Sequence, residues 1–150
     1  MGAIDFTSRV PRHKRQALER LLFFNGCQDR VARDIVDAID RYGPPEIFDD
    51  EDGLRVRLAS MPDAQALFAV ERDSNRPIGV AVYIRADLEH VTVVHLGVAE
   101  DYCAGGINES ENMPLRLVRE VKRSSRRLKG VRRLEVAYCT QRSRVHSGTY

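Results

Sequence analysis

The hydrophobic period of this chain changes once, near Gly53, and that change constrains the fold more than any other feature. Before it, apolar residues recur at helical spacing: Ala17, Leu18, Leu21 and Leu22 form one stripe within residues 11–22. Val31, Ala32, Ile35, Val36 and Ile39 form a second within residues 28–42. Asn25-Gly26 separates the two, Gly43 supplies a left-handed stop, and Pro44-Pro45 prevents continuation. The pair reads as a helical hairpin with Phe23 and Phe24 near its corner. An acidic turn, residues 49–53, follows.

Beyond Gly53 the period is two. Leu54, Val56 and Leu58 alternate with Arg55, Arg57 and Ala59, as in a half-buried strand. Residues 67–72, 78–85 and 90–98 predict three more strands. Their links, residues 73–77 and 86–89, suit antiparallel neighbours, because a parallel pair needs a longer crossover. A long loop, residues 99–113, leads to Pro114, which is tolerated at a first helical position. Leu115, Leu117, Val118, Val121 and Leu128 make an apolar stripe ending at Gly130. A last strand over residues 131–138 places Leu134, Val136 and Tyr138 on one face, so strand, loop, helix and strand predict one parallel βαβ crossover. The expectation is a single mixed α+β domain over residues 1–150. Its parts are a helical hairpin and acidic turn (1–53), a mostly antiparallel sheet with its crossover helix (54–138), and a tail (139–150).

Composition excludes several classes. At 150 residues, with 24 basic and 22 acidic side chains, the chain has room for one core. No apolar run approaches the ~20 residues of a membrane-spanning helix. No apolar block of signal-peptide length follows Arg9, Arg12, Lys14 and Arg15, so a cytoplasmic location is expected. Three cysteines (Cys27, Cys103, Cys139) without CxxC spacing argue against disulfides and zinc. The four histidines are scattered, and no metal is expected.

Two segments carry more specific information. One is Leu67-Phe68-Ala69-Val70-Glu71-Arg72-Asp73, a turn, then Pro77-Ile78-Gly79-Val80-Ala81-Val82. The other runs Val93-Val94-His95-Leu96-Gly97-Val98-Ala99-Glu100-Asp101-Tyr102-Cys103-Ala104-Gly105-Gly106-Ile107. The first resembles the strand-turn-strand of the GNAT superfamily of N-acetyltransferases. The second resembles that superfamily's coenzyme-A motif, with Val98, Asp101, Tyr102, Gly106 and Ile107 in register. The resemblance spans about half the chain, residues 67–138. It implies acetyl-CoA as a substrate, held by Leu96, Gly97, Val98, Cys103, Ala104, Gly105, Gly106, Ile107 and Arg116. Glycines there would let backbone N–H groups approach a diphosphate, aided by the helix N-terminus.

Several residues depart from the pattern. Cys103 stands where the family has Arg or Gln, and Ala104 and Asn108 replace glycines. The stretch Asn108-Glu109-Ser110-Glu111-Asn112 lengthens the loop and brings two carboxylates near the expected diphosphate, where they would repel it. A glutamate of histone-type members aligns with Thr92, which cannot act as a base. His90, on the same strand face, and Glu89 are the candidate proton relays. His95 is expected on the opposite face. Tyr138 is the candidate to protonate the departing thiolate.

The implied function is acyl transfer from acetyl- or acyl-CoA to a small-molecule or protein amine. A homodimer is left open, and no membrane partner is expected. Two alternatives remain: a catalytically silent GNAT-like interaction protein, and a nucleic-acid binder using the basic helix 114–133. From Arg116 to Arg133 nine Lys/Arg face one acid, Glu120. Relatives also carry a helix and two strands beyond the fifth strand, for which only twelve residues follow Tyr138 here.

Overall fold

Period-two alternation becomes a sheet buried on both faces. The computed structural model describes residues 3–23, 32–61, 63–103, 105–127, 130–136 and 148–149. In chain order the elements are β1 (Ile4–Thr7), α1 (Arg15–Phe23), α2 (Ala32–Tyr42), β2 (Pro45–Asp50) and β3 (Gly53–Leu58). They continue with β4 (Gln65–Glu71), β5 (Pro77–Arg85), β6 (His90–Val98), α3 (Met113–Ser125), β7 (Arg133–Val136) and β8 (Gly148–Thr149). Six strands form one sheet in the order β1-β4-β5-β6-β7-β8. Neighbours are antiparallel except β6 and β7, which run parallel on either side of the α3 crossover. The mixed, mostly antiparallel α+β architecture expected from the sequence is the one observed.

One sheet face packs on α3. Ala69, Ile78, Ala81, Val93, Leu96 and Val98 meet Met113, Leu117, Val118 and Val121 there. Gly79 makes this possible, since a Cβ at that position would lie 2.7 Å from the Leu117 Cδ1. On the other face Phe68, Val80, Val82 and Val94 meet Leu18, Leu21 and Leu22 of α1 and Leu54, Val56 and Leu58 of β3. Burying one such side chain contributes about 1.5–3 kcal/mol, so a core without tryptophan still holds both layers.

The structure departs from expectation in five places. β1 is additional to the expected strands; its Ile-Asp-Phe-Thr alternation is only four residues long and pairs with β4 at the sheet edge. β2 also emerges, beginning on Pro45, a position where a strand tolerates the missing N–H. The acidic turn shrinks to Glu51 and Asp52, because Asp49 and Asp50 pair with Leu54 and Gly53. β3 pairs with β2 in a separate two-stranded sheet rather than joining the main one, linked to the rest by a bridge from Val10 to Leu54. In α2, Val36 is 55% exposed while Ala38 is buried: the inward stripe is Ile35, Ala38, Ile39 and Tyr42. No helix among the described residues is long and apolar enough to cross a membrane.

Candidate functional site

Strand β6 is the element on which the expected chemistry converges, and it is not a regular strand. Against β5 its register slips by one: Val82 faces His95, whereas Tyr83 faces Val93, leaving Val94 as the extra residue. Such a bulge turns two consecutive side chains to one face and leaves ladder groups unpaired. Val94 packs with the α1 core. His95 follows it to that side, where its Nε2–H donates to the Gly43 carbonyl just after α2, at 3.4 Å. The expectation that His95 lies opposite His90 is therefore corrected. Strict alternation gives the wrong face because the bulge adds a residue. His95 is 3% exposed, and burial lowers its pKa from 6.5, partly offset by the Gly43 carbonyl. It is neutral at neutral pH.

Ahead of the bulge, β6 pairs with β7 through His90↔Arg133, Val91↔Leu134, Thr92↔Glu135 and Val93↔Val136. Thr92 and Glu135 are thus side by side, and both line a cavity of about 240 Å³ beneath α2. Asp34, Asp37 and Arg41 form its α2 wall. The Arg41 guanidinium lies over the Tyr42 ring, 5.2 Å from its centroid. Thr92 is 6% exposed and contributes the floor. Thr92 itself carries no carboxylate; the one present stands one strand over, on Glu135. Nothing in the sequence of β7 alone marks it, because its neighbour is set by the β6–β7 register.

The expected relays sit elsewhere on the strand. His90 does not line this cavity. Its Nδ1 lies 2.7 and 2.8 Å from the two Asp87 carboxylate oxygens, and Asp87 also accepts the backbone N–H groups of Glu89 and His90. The His90 ring and the Glu89 N–H hold the Asp87 pKa below its usual value. Glu89 has an exposed side chain, and its carbonyl accepts the N–H groups of Arg132 and Arg133, tying the β6 entrance to β7. Tyr138 lies outside the described residues, as does Ala104.

At its other end β6 runs into the glycine loop. Leu96 and Val98 are buried toward α3, so they offer only backbone; Gly97 faces α1, where a Cβ would sit 3.1 Å from the Leu21 carbonyl. Two short 3-10 turns, Glu100–Tyr102 and Glu109–Glu111, shape the loop. Gly106 is needed because a Cβ would come within 2.6 Å of the Glu100 and Asp101 carbonyl oxygens. Gly105 has φ +85 and faces open space, and Ile107 is 90% exposed. Tyr102 is buried and donates to Glu71 at 3.0 Å; burial and that carboxylate push its pKa up to about 12. Arg76 joins Glu71 and Asp101 at 2.8 and 2.6 Å, anchoring the loop to the β4–β5 turn.

Cys103 corrects a second expectation. It is buried and disulfide-bonded, whereas the sparse cysteines without CxxC spacing argue against disulfides. Its sulfur lies 3.3 Å from the Val98 carbonyl, but a disulfide sulfur carries no proton to donate. Cys27 and Cys139 lie outside the described residues. Arg116, in the first turn of α3, pairs with Glu111 at 2.7 Å and lies over the Phe6 ring. A cleft of about 810 Å³ opens beside the loop, between Gln16, Ala17 and Arg20 of α1 and Arg76, Glu100 and Asp101. Farther along, Arg119 and Arg123 on α3 and Arg126 and Arg127 just past its end are all exposed.

Among solved structures, an acetyltransferase from Streptococcus agalactiae superposes with a TM-score of 0.53 at 14% identity, over 91% of this chain and 73% of that one. The fold is that of this acetyltransferase. Weaker superpositions accompany it. A GNAT-family acetyltransferase from Desulfovibrio desulfuricans gives a TM-score of 0.44 at 23% identity, over 89% of this chain and 72% of that one. An IAA acetyltransferase from Bacillus cereus gives 0.45 at 18%, over 89% and 65%. No family model matches the sequence. No curated protein matches it. Here β6, the glycine loop, α3 and β7 form the crossover around which the two cavities lie.

Proposed function

We propose that this protein transfers an acetyl group from acetyl-CoA to a cationic amine, with the acceptor in the cavity beneath α2. The observation that carries this is the Thr92–Glu135 pair: an exposed glutamate set beside a buried threonine at the β6–β7 junction, just ahead of the bulge, with both lining the cavity. Asp34, Asp37 and Glu135 outnumber Arg41 there and favour an ammonium group over a neutral or acidic one.

The chemistry runs along β6. Glu135 takes a proton from the bound ammonium, directly or through one water, and the neutral amine attacks the thioester carbonyl. The carbon–nitrogen bond forms, and a backbone N–H that the bulge around Val94 turns out of the ladder would stabilise the oxyanion. The carbon–sulfur bond then breaks, and the thiolate departs with a proton from the nitrogen of the adduct. The donor's pantetheine arm would lie against the β6 backbone from Leu96 to Val98 as an added strand does. Its diphosphate would reach the glycine loop and the start of α3 through the cleft beside Arg20. His95 lies toward the acceptor side as a neutral, buried ring, and His90 stays bound to Asp87 at the strand entrance.

The test is thiol release from acetyl-CoA with spermidine as a cationic acceptor. Amine-dependent thiol release with acetylated spermidine as the product is the expected result. Release at the buffer rate with spermidine, and with a panel of other primary amines, would sink the proposal.

A further inference from the structure

The glycine loop is already occupied by the chain's own carboxylates. Most of the backbone donors among its described residues are consumed internally: Tyr102 N–H by Ala99, Cys103 N–H by Glu100, Gly106 N–H by Cys103 and Asn108 N–H by Asp101. Gly105 N–H, on the left-handed glycine that faces open space, donates to the Glu109 carboxylate at 3.2 Å. Farther along the loop, Glu111 holds the Arg116 guanidinium at 2.7 Å. Pro114 removes a further donor from the first turn of α3, and Asn112 gives that helix no side-chain cap.

An exposed glycine N–H and an arginine at a helix start are groups a diphosphate would use. Each has an anion on it, and each anion belongs to the five-residue stretch between Asn108 and Asn112. We infer that Glu109 and Glu111 are specificity-determining residues that stand in for the donor's diphosphate and hold the loop against it. This rests on the acyl-donor site proposed above. A diphosphate entering the loop must displace Glu109 from Gly105 and part Glu111 from Arg116. It then remains beside both carboxylates, in a loop whose remaining groups are largely self-satisfied. The thioester and pantetheine parts of the donor meet no such competitor, because they lie along β6. The nucleotide half of acetyl-CoA therefore adds little affinity, and the donor is selected by its acyl-pantetheine half.

Two donors and two proteins test this. Acetyl-CoA carries the diphosphate; acetyl-pantetheine does not. Their equilibrium affinities are measured for the wild type and for a Glu109→Gln/Glu111→Gln variant. Glutamine keeps an acceptor oxygen for Gly105 and Arg116 while removing both charges, and acetyl-pantetheine binding reports an intact fold. In the wild type the two donors should bind within about threefold of each other, against the tenfold per 1.4 kcal/mol that one productive phosphate contact provides. In the variant acetyl-CoA should tighten by about tenfold or more while acetyl-pantetheine stays within about twofold. Unchanged acetyl-CoA affinity in the variant, or equal tightening for both donors, overturns the role of the carboxylates and leaves the donor site standing. Failure of either donor to bind either protein overturns the donor site itself, and this inference with it.

Discussion

Glu135→Gln should lower kcat for amine acetylation by about 100-fold or more while the fold and the donor affinity are retained, the effect expected of a removed general base. Glutamine keeps the size of the side chain and its place beside Thr92 but takes no proton from an ammonium. Donor affinity is unaffected, because Leu96 to Val98, where the pantetheine arm would lie, are beyond the bulge from Thr92 and Glu135. Raising the pH should restore part of the rate, since amines then arrive already deprotonated. His90→Ala supplies the contrast: its ring is engaged by Asp87 outside the cavity, so the rate should stay within about twofold, far below the loss of a general base. A Glu135→Gln enzyme at the wild-type rate, with His90→Ala inactive, would return the proton relay to the strand entrance.

Leu117→Ala should be the most damaging single truncation on the donor side. Leu117 is fully buried against the sheet, and its Cδ1 fills the space over Gly79 that any larger residue there would claim. Emptying a closed pocket of this kind costs about 2–5 kcal/mol. That is a large fraction of a small domain's stability, about 5–15 kcal/mol. Chemical denaturation should show a lower midpoint with an unchanged slope. Because α3 packs on Leu96 and Val98 of β6, along which the donor would lie, donor affinity should fall as well. A loss under about 1 kcal/mol would mean that α3 is held by something other than this contact.

How far the sequence alone reaches depends on whether a feature is local. β6 is legible to its end residues, because His90–Val98 lies between a polar turn and a polar loop. The β4–β5–β6 meander and the parallel crossover follow from link lengths. The bulge does not: Val91, Val93 and Val94 are all apolar, so nothing in their pattern marks where the phase changes, and alternation assigns His95 to the wrong face as a result. β2 is hidden by Pro45 at its start and two aspartates at its end, which read as turn residues until Gly53 and Leu54 are seen opposite them. Glu135 is invisible for a different reason. Its significance is its partner, Thr92, and pairing across a crossover is not encoded near either residue. The glutamates of the loop are recognisable as repelling a diphosphate, yet the bonds to Gly105 and Arg116 depend on two short turns that folding alone supplies. The disulfide at Cys103 escapes notice because three cysteines with no motif carry no pairing information.

The most direct measurement of the central claim is a residue-resolved amide map of the protein titrated with acetyl-CoA. Binding along the strand should shift the amides of Val94 through Val98 most, with smaller shifts at Gly105 through Ile107 and at Leu115 and Arg116, where Glu109 and Glu111 hold the loop against the diphosphate. Amides at the β6 entrance, Glu89 and His90, should move little. A map unchanged at millimolar acetyl-CoA, or shifts confined to residues away from β6 and the glycine loop, would contradict the account.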